Sequence, residues 1–251
     1  MSAERYLVVN ADDYGQSPGV NAGVVEAHEK GIVTSASLMV RWPAAEEAAC
    51  FARANGLSVG LHVDLGEWAA SGSEWTPLYE VVPPADEQAV RDEVEAQLAN
   101  FRELVGADPT HLDSHQHVHR REPARSVLVE LAARLGVPLR GCTESIRYCG
   151  AFYGQTEDGL PRPDAVSAAA LVQLLGRLEP GFTELACHPG RGCDVRSMYA
   201  AERTLEVAAL CDVAVRAALD RQRIRLVTFR DVREAAVAPG RPQTPVSAPT
   251  S

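Results

Sequence analysis

Seven segments with strand-like patterning, separated by segments that read as helices, constrain this chain more than any other feature. The strand-like segments are residues 6–10, 34–40, 58–65, 110–117, 137–140, 183–188 and 224–229. Helical patterns fall at 20–30, 43–55, 85–104, 123–135, 164–178 and 198–221, and Asp231 is placed to cap a short last helix. Gly31, Gly56 and Gly136 stand where helices should stop, and Asp164 offers an N-cap. Such alternation predicts an α/β fold around a parallel sheet. Periodicity alone leaves the sheet open or closed. Residues 68–84 and 141–163 read as loops. Residues 1–237 are expected to form one domain, with the Pro-, Ser- and Thr-rich residues 238–251 as a disordered tail.

A chain of 251 residues with 46% hydrophobic content can build one large core. Its net charge of −10 argues against a nucleic-acid partner and an anionic membrane surface. No apolar run approaches the roughly 20 residues of a membrane span, and no apolar leader opens the chain. The expectation is a cytoplasmic protein without membrane insertion. None of the six cysteines forms a Cys-x-x-Cys pair, so they read mostly as buried thiols of a reducing compartment. A homodimer is compatible with the chain, although nothing in it demands one.

The chemistry concentrates in His111-Leu112-Asp113-Ser114-His115-Gln116-His117-Val118-His119, which holds four of the seven histidines. As far as an extended strand continues, His111, Asp113, His115, His117 and His119 share one face. Five polar groups on a core face would be costly without partners, which points to a metal or proton-transfer site. In Asn10-Ala11-Asp12-Asp13-Tyr14-Gly15, two adjacent carboxylates repel unless a cation relieves them, so one can bind metal while the other acts as a base. His62 interrupts an apolar strand. His188 ends another in Cys187-His188-Pro189-Gly190, where an imidazole can serve as a proton donor. A Cys187–His188 nucleophile is disfavoured, because neighbours on a strand face opposite ways. Asp12, Asp13, His62, Asp64, His115 and His188 fall at C-terminal strand ends, where parallel barrels build their active sites, and this favours closure.

Together, Asn10–Gly15, Ser17-Pro18-Gly19-Val20-Asn21, residues 31–37, Val59-Gly60-Leu61-His62, residues 110–119 and Cys187–Gly190 resemble the YdjC-like family of carbohydrate deacetylases, which includes chitooligosaccharide and hopanoid-associated enzymes. The resemblance runs from Tyr6 to about Asp231. It implies a distorted (β/α) barrel, TIM-barrel-like with about seven parallel strands, and one divalent metal ion, Mg²⁺ or Zn²⁺. It further implies Asp13, His62 and His115 as ligands, Asp12 as general base and His188 as general acid. His111 and Asp113 are expected to orient His115, and Gln116 to face away. His117, Arg147, Trp68 and Trp75 are candidates for supporting or substrate-binding roles, with Tyr79 beside the two tryptophans as a stacking surface. The implied reaction is hydrolysis of the N-acetyl group of an amino sugar. Two other readings stay open: a metal-dependent sugar isomerase or epimerase, and a metal-binding homologue without turnover.

Overall fold

The computed structural model describes residues 4–71, 74–156, 158–192, 194–195 and 197–237. The expected tail at 238–251 and Cys193 lie outside the described residues. The strands are β1 (Arg5–Tyr14), β2 (Ser35–Leu38), β3 (Ser58–Val63), β4 (Gly66–Ser71), β5 (Glu74–Glu80), β6 (Leu112–Ser114), β7 (Ile146–Cys149), β8 (Gly181–Cys187) and β9 (Ile224–Leu226). The helices are α1 (Pro18–Glu29), α2 (Ala45–Asn55), α3 (Glu87–Val105), α4 (Ala124–Leu135), α5 (Ala168–Leu175), α6 (Ala201–Leu210), α7 (Val213–Gln222) and α8 (Phe229–Val237).

Seven strands form one parallel sheet in the order β6-β3-β2-β1-β8-β7, with β9 paired to the first residues of β1. β1 is buried from Leu7 to Tyr14, as a strand covered on both faces must be. Leu139 makes a lone parallel bridge to Leu112 of β6. The chain then turns through hydrogen bonds from Cys142 and Thr143 to the Leu139 carbonyl and enters β7 at the other sheet edge. So short a crossing brings the two edges together. The sheet curls into a distorted barrel whose seam, among the described residues, carries no strand ladder. At its N-terminal end α8 seats Phe229 and Val232 against Val8 and Ile146.

Several local expectations change. Residues 68–84 hold a hairpin, β4–β5, rather than a loop. The segment 141–163 contains β7, and the expected strand at 137–140 shrinks to the Leu139 bridge. The expected long helix at 198–221 is two helices, because Asp212 accepts a hydrogen bond from the Ala214 amide and starts α7 afresh. Ser167 rather than Asp164 caps α5. Asp231 lies inside the first turn of α8 and exchanges hydrogen bonds with Thr228, a reciprocal cap. Cys187 is buried, but Cys142, Cys149 and Cys211 are half-buried and Cys50 is exposed.

Candidate active site

The Asp12-Asp13 pair sits where β1 loses register with β2. Ala11 still faces Ala36, but Tyr14 faces Leu38, so β1 carries one extra residue. Asp13 absorbs it in the left-handed region, at φ 62°. A bulge of this kind re-aims side chains that a regular strand would send to opposite faces. Both carboxylates therefore enter one buried cluster, at 3% and 1% exposure.

Asp13 Oδ1 lies 3.3 Å from His62 Nε2 and 2.9 Å from His115 Nδ1. Two donors held about 2.1 Å from a tetrahedral ion stand about 3.4 Å apart, so this donor set fits a divalent metal. The orientation of His62 fits as well. Its Nδ1 is 2.7 Å from Asp113 Oδ1, which turns Nε2 toward Asp13. Burial opposes charge on both imidazoles, but Asp113 raises the His62 pKa to about 9 and Asp13 raises that of His115 to about 10. Burial likewise opposes ionisation of Asp13, yet His115 and Arg203 hold its carboxyl well below the usual range. Arg203 takes Asp13 Oδ2 at 2.6 Å and leaves Oδ1 to the histidines.

Asp12 is held differently. Arg140 donates from Nη1 to Oδ2 and from Nη2 to Oδ1, each at 2.6 Å. The same guanidinium reaches Glu184 at 2.6 Å and Asp113 at 2.8 Å. Asp12, His62 and Asp113 also cluster closely enough to suggest a second ligand group. A guanidinium already neutralises its two carboxylates, which makes it the poorer cation site. Burial raises the Glu184 pKa to about 7. His188 follows β8, with Nε2 3.7 Å from Asp12 Oδ2 and Nδ1 4.0 Å from Glu206 Oε1. Its backbone amide and the Tyr199 hydroxyl both donate to Glu206, and burial holds the His188 pKa down to about 4. At 20% side-chain exposure, His188 is the more open end of the cluster.

The other sequence candidates scatter. The extended face ends at Ser114, because the chain turns through His115–Arg120 with Gln116 and His117 at φ 48° and 55°. His111 lies deeper in the barrel, stacked on Phe229 and hydrogen-bonded to Ser37, which in turn donates to Asp113. Asp113 orients His62 rather than His115. His117 joins the Tyr148 hydroxyl, and His119 turns back onto Ser114. Gln116 does not point idly away: its amide exchanges two hydrogen bonds with the Trp68 backbone. Arg147 reaches the Glu179 and Pro180 carbonyls at the opposite end of the barrel. Trp75 is 54% exposed, whereas Tyr79 donates to Asp64 and meets Trp42 edge to face. The Cys187 thiol donates to the Asn10 carbonyl, and burial raises its pKa, which removes it as a nucleophile.

Sequence reasoning passed over Arg140, Glu184, Arg203, Glu206 and Glu67. Two of them left a signal. Arg140 ends a strand-like segment, and Glu184 is a lone acid in a buried strand that requires a partner. Arg203 and Glu206 come from α6 and Glu67 from the hairpin, where only tertiary packing turns them inward.

Similar proteins share this architecture. A crystal structure from Enterococcus faecalis V583 superposes with a TM-score of 0.75 at 26% identity, covering 92% of this chain and 99% of that one. A family 4 carbohydrate esterase from Streptomyces lividans shares the fold at a TM-score of 0.52 and 13% identity, covering 90% and 93% of the two chains. In sequence, a carbohydrate deacetylase of Geobacillus stearothermophilus is 34% identical across 90% of this chain and 98% of its own. A chitooligosaccharide deacetylase of Citrobacter koseri is 32% identical across 91% and 100%. The YdjC-like protein family model matches residues 6–221, and the chain belongs to that family.

Proposed function

We propose that this protein is a metal-dependent carbohydrate deacetylase that hydrolyses the N-acetyl group of an amino sugar to acetate and a free amine. One observation carries the reading. The adjacent carboxylates divide their partners, Asp13 facing two imidazoles while Asp12 faces His188 at the more open end. Asp13, His62 and His115 would hold the ion, and two imidazoles with one carboxylate suit Zn²⁺ or Co²⁺ better than Mg²⁺, which prefers oxygen ligands. A divalent ion bound there supplies a Lewis acid for the acetyl oxygen and lowers the pKa of its water. Asp12, kept ionised by Arg140, accepts the proton of the attacking water. His188, neutral at rest, takes that proton from Asp12 across the 3.7 Å between Asp12 Oδ2 and its Nε2 and delivers it to the departing amine. The relatives named for carbohydrate and chitooligosaccharide deacetylation support this reaction class.

The test is acetate release from N-acetylglucosamine, diacetylchitobiose and longer chitooligosaccharides, using chelated protein and protein reloaded with Zn²⁺ or Mg²⁺. Metal-dependent acetate is expected. A metal-loaded protein that isomerises sugars and releases no acetate from any N-acetylated substrate would overturn the reading.

A further inference from the structure

We infer that Glu67, carried on the β4–β5 hairpin, orients His115 toward a metal ion as Asp113 orients His62. This inference rests on the metal-site reading above. The two histidines face Asp13 through opposite nitrogens, His62 through Nε2 and His115 through Nδ1. Each has its other nitrogen turned toward a buried carboxylate. For His62 that group is Asp113, at 2.7 Å. For His115 it is Glu67, whose Oε2 lies 3.6 Å from a buried Nε2 that has no hydrogen-bond partner. Glu67 itself is 3% exposed, although it comes from a hairpin outside the barrel sheet.

The approach is built in. Gln116, next to His115, accepts from the Trp68 amide at 2.9 Å and donates to the Trp68 carbonyl at 2.8 Å, next to Glu67. Glu67 pairs with Tyr79 but Trp68 with Pro77, so the hairpin has a bulge here whose extra residue, Leu78, lies on β5, and the Gln116 clamp on Trp68 holds the adjacent Glu67 of β4 against His115. A carboxylate on the far nitrogen fixes the tautomer and ring angle of a ligating histidine and makes it the better base. Glu67 is thus a positioning residue that acts through His115. The hairpin supplies one carboxylate and the barrel interior the other.

Metal-free protein titrated with Co²⁺ and Zn²⁺ tests this. Glu67→Gln should raise the metal Kd about 10-fold and Glu67→Ala up to about 100-fold, with the Co²⁺ absorption bands of the wild type retained. Gln116→Ala keeps the carboxylate and loosens the clamp, so its Kd should lie between wild type and Glu67→Ala. A Kd for Glu67→Gln and Glu67→Ala equal to that of the wild type would overturn the inference, whatever either substitution does to the Tm of the metal-free protein. A changed Co²⁺ band intensity would overturn it too, by making Glu67 a ligand. Equal Co²⁺ binding by wild type and His115→Ala would instead sink the metal-site reading itself.

Discussion

Replacing Arg140 by Met removes one buried positive charge and little volume. The guanidinium faces Asp12, Asp113 and Glu184, all buried. Glu184, with a pKa pushed up to about 7, is partly neutral at pH 7, and His62, near 9, carries one compensating proton. Deleting Arg140 therefore leaves about one uncompensated buried negative charge. Breaking a buried pair in this way costs about 3–5 kcal/mol. For a domain of this size that lowers the Tm by roughly 6–20 °C. The sign of the pH dependence follows from the carboxylates. In the wild type the Asp12 and Asp113 pKa values are depressed, so their stabilisation is present above the unfolded value of about 3.9 and is lost as pH falls through the folded values. Without the guanidinium, burial and the neighbouring Asp113 push the Asp12 pKa upward while His62 still holds Asp113 down, so the folded state loses stability as pH rises through the Asp12 value. The deficit should be large at pH 7 and shrink toward pH 5, read from urea midpoints with unchanged slope. Arg134→Met, which breaks an exposed pair with Glu95, should leave the midpoint unchanged. A loss below about 1 kcal/mol for Arg140→Met, or one that does not vary with pH, refutes the reasoning.

Three further outcomes follow from the packing and the site. Gly60→Ala would place a Cβ 2.5 Å from the His111 ring, so overpacking should cost about 1–3 kcal/mol in chemical denaturation. Asp12→Asn should retain metal but lose about 10²–10⁴-fold in kcat, whereas His115→Ala should lose metal by equilibrium dialysis and keep its far-UV circular dichroism; metal loss in Asp12→Asn would reverse the roles within the pair. Arg147→Ala should leave kcat/KM for acetate release unchanged, since its side chain engages carbonyls far from the cluster.

Much of the site could be read before the fold was known because its groups fall at strand ends. Asp12, Asp13, His62 and His188 end or interrupt apolar runs, and a parallel sheet delivers such positions to one rim. His115 was legible from composition, but its neighbours were not. The alternation that gathers His111 through His119 on one face requires an extended chain, and the backbone leaves that conformation after Ser114. The hairpin was missed because two tryptophans and several prolines mask its alternation.

The sequence by itself determined an acidic α/β chain with a parallel sheet and a rim of Asp and His. Those properties follow from local periodicity and from the cost of burying polar groups without partners. Tertiary structure alone decided which carboxylate meets which cation. A one-residue bulge in β1 turns Asp13 to the histidines and Asp12 to Arg140, and the docking of the hairpin on Gln116 brings Glu67 to His115. These choices depend on register between strands distant in the chain, and a one-dimensional pattern carries no record of register.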